Sequence, residues 1–196
     1  MGSYTVITEA GNAIVRLLRK ELVPEIIPNA DAIGLATPAD RGDIVLCVHL
    51  YDIGESGDFR VSGMVSDGVS RQKFPPVHLT LSYMITAFSA SDVKFRAEEE
   101  HRILGKVIQV LRDYPVLNPE TMELGPGTGK EGIRLEMRRL EAEEKLKFWN
   151  FPNLANKLSL FYKLGPLPLE SARTREIRRV GSTEFRVESA ETEGEN

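Results

Sequence analysis

The run IVLCVHLYDI (44–53) constrains this chain more than any other stretch. It is almost continuously β-branched and aliphatic, the pattern of a strand covered on both faces rather than wetted on one. Such a strand needs pairing partners and a layer on each side, which the remaining sequence must supply. In HLTLSYMITAF (78–88), Leu79, Leu81, Tyr83, Ile85 and Ala87 alternate with His78, Thr80, Ser82, Met84 and Thr86. A period of two predicts a strand with one greasy face. IRLEM (133–137) alternates in the same way, and LSLFYKL (158–164) reads as the last strand.

Helical periodicity fills the intervals. TEAGNAIVRLLRKELV (8–23) places Ile14, Leu17, Leu18 and Leu22 on one stripe, with Thr8 as N-cap and Pro24 as stop. FRAEEEHRILGKVIQVLRDYP (95–115) predicts a second helix, capped by Asp92 and ending before Pro115. It should bury Ile103, Leu104, Val107, Ile108 and Leu111 and carry Glu98, Glu99 and Glu100 in its first turn. AEEKLKFWNF (142–151) is a short helix stopped by Pro152, with Phe148 and Trp149 as core residues. IIPNADAIGLATPADRGD is loop-rich, and Gly54–Gly68 holds a hairpin or mobile loop around Phe59–Val61. The order α-β-β-α-β-α-β predicts an α+β fold: a mainly antiparallel sheet with long helices packed on it.

That domain should span residues 1–168. Residues 169–196 read as a charged tail, with TREIRR basic and ESAETEGEN acidic. Its large apolar side chains are Ile177, Val180, Phe185 and Val187, too few to offset the entropy of ordering it. No internal repeat is visible.

With 196 residues, 41% hydrophobic and 28% charged, the chain can bury a proper core. A net charge of −4 gives no basic field for nucleic acid. No apolar run approaches a membrane span, and MGSYTVITEAGN lacks the features of a signal peptide. The lone Cys47 excludes a disulfide within the chain and suits a reducing compartment. The expectation is a cytoplasmic protein without nucleic-acid or membrane partners.

The chemical candidates are thin. Glu98 and His101 make an E-x-x-H pair, a spacing that sets two metal ligands on one helical face. A di-iron site needs two such pairs and two further glutamates, and zinc needs three or four ligands. His49 and His78 lie in strands, so the glutamates are better explained as charge near a helix N-terminus. GPGTGKEG (125–132) imitates a phosphate-binding loop, but Leu124 stands where its first glycine belongs and Glu131 where its Ser/Thr belongs. Cys47, between Leu46 and Val48, reads as a packed thiol with a raised pKa. Asp40-Arg41-Gly42-Asp43 contains an R-G-D string of the kind chance supplies, and no G-x-S-x-G elbow occurs. Arg173, Arg175, Arg178 and Arg179 lack aromatic stacking partners and are followed by acid. No catalytic residue, metal or cofactor is expected.

The series goes further than any single motif. YTVITEAGNAIVRLL, DIVLCVHLYDI, PPVHLTLSYMITAFS, EEEHRILGKVIQVLRDYPVL and LKFWNFPNLANKLSLFYKL occur in this order between Tyr4 and Ser171. That series resembles the cap, or tail-terminator, family of extracellular contractile injection systems, the phage-tail-like particles of bacteria and archaea. E-H-R-I-L-G after an L-x-Y-x-x-T-A strand is its most specific part. The resemblance implies a structural homohexameric ring that closes the distal end of the inner tube, contacts the last sheath ring and limits length. It makes Glu100, His101, Arg102, Leu104 and Gly105 a signature of an assembly helix. Gly105 in mid-helix costs about 1 kcal/mol against alanine, which the close approach of another chain would explain. Within the tail, Glu184–Glu188, with Arg186 and Val187, is a candidate strand donor to a neighbour. A contractile phage tail terminator is a near alternative. The alternative of another class is a small metal- or ligand-binding enzyme using Glu98, His101 and His78.

Overall fold

The computed structural model describes residues 4–57, 63–66, 71–118 and 132–176. In chain order these form α1 (Val6–Leu22), β1 (Ile33–Leu35), β2 (Leu46–Glu55), β3 (Val65–Ser66), β4 (Arg71–Lys73) and β5 (Val77–Ala87). There follow α2 (Val93–Asp113), β6 (Val116–Leu117), β7 (Ile133–Met137), α3 (Ala142–Phe148), β8 (Ser159–Leu169) and β9 (Thr174–Glu176). Six strands make one sheet in the order β1-β2-β5-β8-β7-β6, and β3-β4-β9 make a smaller one. β1 pairs with β2 in parallel, and the other pairings of the large sheet are antiparallel.

The sheet separates two cores. On one face α1 and α2 pack together and bury Ile14, Leu18, Leu22, Ile103, Val107 and Leu111 against Leu81, Tyr83, Ile85 and Leu164. Fully burying side chains of this size stabilises by about 1.5–3 kcal/mol each. The other face carries a smaller cluster of Cys47, Met84, Phe88, Leu140, Trp149 and Phe161, with Tyr51, Phe148 and Phe151 packed against it. Phe148 and Trp149 therefore belong to a core, as their composition predicts.

This second core corrects the reading of β5 as one-sided. From Leu81 onward both faces are buried, including Ser82 and Thr86. The Thr86 hydroxyl meets that of Ser159 at 2.7 Å, so this polar pair is satisfied inside. β2 behaves in the opposite way. Leu46, Cys47 and Val48 are buried on both faces, but its second half is exposed.

Other local expectations change as well. α1 begins at Val6 with Thr5 in the N-cap position, so Thr8 lies inside the helix. α2 begins at Val93, which puts Glu98, Glu99 and Glu100 in its second turn rather than its first. Asp92 holds the N-cap position of α2 without a side-chain cap. On the last part of that helix Val110 is buried together with Leu111, and Ile108 is exposed. β1 lies inside the stretch expected as loop. β8 continues to Leu169, and β9 pairs with β4 through Arg71↔Glu176, Gln72↔Arg175 and Lys73↔Thr174. The expected hairpin at Phe59–Val61, residues 125–131 of the phosphate-loop mimic, and everything from Ile177 onward lie outside the described residues, including Arg178, Arg179, Arg186 and Val187.

Candidate functional site

Glu99 and Glu100 of α2 turn back to the loop that precedes the helix. Glu99 accepts hydrogen bonds from the Ser89 and Ser91 hydroxyls. Those two bonds, with the nearby Arg102 charge, hold its carboxyl below the usual range. Glu100 accepts the Ser89 N–H at 3.1 Å and forms an ion pair with Lys157, at the entry to β8. Lys157 also lies 5.2 Å from the centroid of the Phe88 ring, over which the Arg41 guanidinium sits at 4.4 Å. One knot thus ties the β1–β2 connection, the end of β5, the start of α2 and the start of β8. Ser89-x-Ser91 ahead of an acidic triplet was its visible signal. Lys157 had none, because 57 residues separate it from Glu100.

Of the remaining signature residues, Leu104 is buried in the core. Glu98, His101, Arg102 and Gly105 follow helical spacing and are all exposed. Glu98 and His101 do share a face, yet no group of three metal-ligating side chains exists among the described residues. A Cβ built on Gly105 would meet nothing within 4 Å. Nothing among the described residues requires glycine there.

Two other polar positions have a physical explanation in packing. Burial raises the Cys47 thiol to about 12, and its Sγ donates to the Ala36 carbonyl at 2.7 Å. It is a neutral, packed thiol, as its apolar neighbours in the sequence suggest. His49 sits edge-on to Phe151, with ring centroids 5.8 Å apart, and burial lowers its pKa. His78 lies near the opposite end of the sheet, in register with Pro168 of β8. The histidines do not converge.

Two open grooves lie at the edges of the large sheet. Beside β1, a groove of about 310 Å³ runs between the first half of α1 and Leu35, Leu50 and Tyr83. Gly11 forms its tight wall: a Cβ there would come within 3.0 Å of Leu35 and 3.4 Å of the Tyr83 hydroxyl. That hydroxyl is buried, has no hydrogen-bond partner among the described residues, and has its pKa raised by burial. At the opposite edge, a groove of about 350 Å³ separates α2 from β7, lined by Ile108, Arg112, Leu135, Met137 and Tyr162. Neither groove brings acid, base and nucleophile together.

The description "Pvc16 N-terminal domain" belongs to a family model that matches residues 9–182. No curated protein matches the sequence. Among solved structures, the cryo-EM sheath/tube terminator of the PVC extracellular contractile injection system, in the extended state, shares the fold with a TM-score of 0.63. The identity is 20%, over 94% of this chain and 64% of that one. The tube-terminating cap of the anti-feeding prophage gives a TM-score of 0.58 at 21% identity, over 91% of this chain and 60% of that one. The chain therefore spans less than two thirds of the length of either protein. At these identities the likeness is one of fold.

Proposed function

The chain belongs to the Pvc16 N-terminal domain family, and on that premise we propose that it is a structural cap of a contractile injection system. It would close the distal end of the inner tube and sheath and limit their length. The observation that carries this reading is coverage: a sheath/tube terminator and a tube-terminating cap share the fold over 94% and 91% of the chain.

The physical logic is that of a polymer end. A tube grows because each added ring exposes a surface equivalent to the one it covered. A terminator binds that surface with one face and offers a different face outward, so it needs complementary surfaces and no catalysis. A closed, six-fold ring of this chain would match a six-fold tube, with heterologous contacts between neighbours. The protein would be made in the cytoplasm and end in the particle, with the tube and sheath proteins as its partners and no cofactor.

Within this reading, His101, Arg102 and Gly105 form the outward face of α2 available to another chain. Glu100 serves the same helix from inside, through Lys157 and Ser89. Deleting the gene should leave tube protein folded but polymer ends open, giving particles of irregular length or unstable sheaths. Electron micrographs of a deletion strain with uniform, fully formed particles would rule the function out.

A further inference from the structure

We propose that the groove between α1 and β2 holds an extended segment of a partner protein, one that reads apolar-x-apolar-x-basic and adds to the sheet where β1 ends. The inference rests on the cap reading, in which that partner is another protein of the particle.

The main chain of β2 calls for a strand. β1 pairs with it only from Ile33↔Leu46 to Leu35↔Val48. The Val48 carbonyl accepts the Ala36 N–H at 3.3 Å, so Val48 turns its main-chain groups to the outer edge. Leu50, two residues on, turns its own to the same edge. There the chain from β1 has left through Pro38–Asp40, and among the described residues no strand pairs with that part of β2. An extended peptide satisfies such an edge, which a compact apolar ligand does not.

The side chains beside the edge form a seat. Ile7, Gly11, Leu35, Val48 and Leu50 line the groove of about 310 Å³ together with Tyr83. Tyr83 is 1% exposed, and its hydroxyl has no hydrogen-bond partner among the described residues. Buried hydroxyls are ordinarily bonded, so this donor awaits an acceptor. Leu35 and the hydroxyl both border Gly11, where a Cβ would stand 3.0 Å from the first and 3.4 Å from the second. Leu35 is 42% exposed at the end of a three-residue strand, and is the side chain that a partner carbonyl bonding to Tyr83 would displace.

Face and charge set the rest of the pattern. Residues opposite one another across β2 and β5 share a face, so Leu50, Ile53 and Glu55 follow Tyr83, Leu81 and Leu79 on the helix-covered side. Ile53 is 47% exposed, and Glu55 is exposed without an ion pair among the described residues. Other charges are engaged or lie elsewhere. Arg19 is bonded to the Ile33 carbonyl and Glu9 to the Thr5 hydroxyl, while Arg16 and Lys20 line a groove on the opposite flank of α1. Asp52 lies opposite Ser82 on the other face, where Arg138 and Glu144 bear on Tyr51. A segment with one apolar side chain in the groove and the next over Ile53 therefore brings its following outward residue to Glu55, which selects a cation.

The test uses the full-length protein and uncapped particles purified from the deletion strain. A benzophenone side chain in place of Ile53 should cross-link to a tube or sheath protein, and peptide mapping should place the link in an apolar-x-apolar-x-basic stretch. Tyr83→Phe should leave the urea midpoint of the free chain unchanged or higher, because the lost hydroxyl had no partner, and should weaken end binding by about fivefold or more. Glu55→Lys should weaken end binding at low salt and less at high salt. A link to a second copy of this chain, capped ends without a link, or full end binding by Tyr83→Phe would overturn the groove assignment and leave the cap reading intact. A lower urea midpoint for Tyr83→Phe would overturn it too, by showing that the hydroxyl serves the fold. Failure of the unmodified chain to bind uncapped ends would overturn both.

Discussion

Gly105→Ala separates folding from assembly in one substitution. Gly105 is an interior residue of α2, where glycine costs about 0.8–1.0 kcal/mol relative to alanine because its backbone loses more freedom on ordering. An opposing steric term would need an atom close to the new methyl, and none lies within 4 Å. The isolated chain should therefore gain about 1 kcal/mol, which for a protein of this size raises Tm by about 2–4 °C. Urea unfolding followed by circular dichroism measures the gain directly, as a higher midpoint at unchanged slope. A lower midpoint would refute the reasoning, since it would mean that the fold itself needs the glycine. The capping assay reads the other half. If a neighbouring chain approaches α2 closely at this point, the better-folded variant should cap particle ends less well. A variant that is both more stable and fully active in capping would remove Gly105 from the interface.

Three further substitutions test the interior of the molecule. Lys157→Met keeps the aliphatic stem but leaves the Glu100 carboxylate without its ion partner, and should cost about 1–3 kcal/mol in urea unfolding. Glu100→Gln in that background should cost little more, and strict additivity of the two changes would disprove the coupling. Burial lowers the pKa of His49 from its ordinary 6.5, so the unfolded chain takes up the proton more readily. Its contribution to stability is complete above 6.5 and declines as the pH falls below that value; His49→Phe should flatten the decline between about pH 7 and pH 5, and an unchanged slope would refute this origin.

What could be read from the sequence depended on whether a segment's neighbours were local. The stripe of α1 and the alternation of β7 are intrinsic patterns, and both elements formed within a few residues of the expected bounds. β1 was missed because Ile33–Leu35 is too short for a period, and it becomes a strand only by pairing with β2. β3, β4 and β9 are two or three residues each, largely polar, and exist through each other. β5 misled for a related reason. Its Ser82, Met84 and Thr86 look like a wet face until α3 and Trp149, more than fifty residues later, supply a second layer.

The same distinction bears on function. The signature around Glu100 mixes two duties that adjacent letters cannot separate. Glu99 and Glu100 turn back to Ser89, Ser91 and Lys157 and fix where α2 leaves the sheet. His101, Arg102 and Gly105 turn outward, and among the described residues only Arg102 bears on the fold, through its charge near Glu99. A helix anchored at its start by three chain segments presents its outer face at a defined angle, and a ring needs that in each of its copies. Rigidity on the inner side of α2 and complementarity on its outer side are then consecutive requirements of one assembly step. Loosening the anchor with Lys157→Met should therefore impair capping even though Lys157 itself lies beneath the proposed contact face.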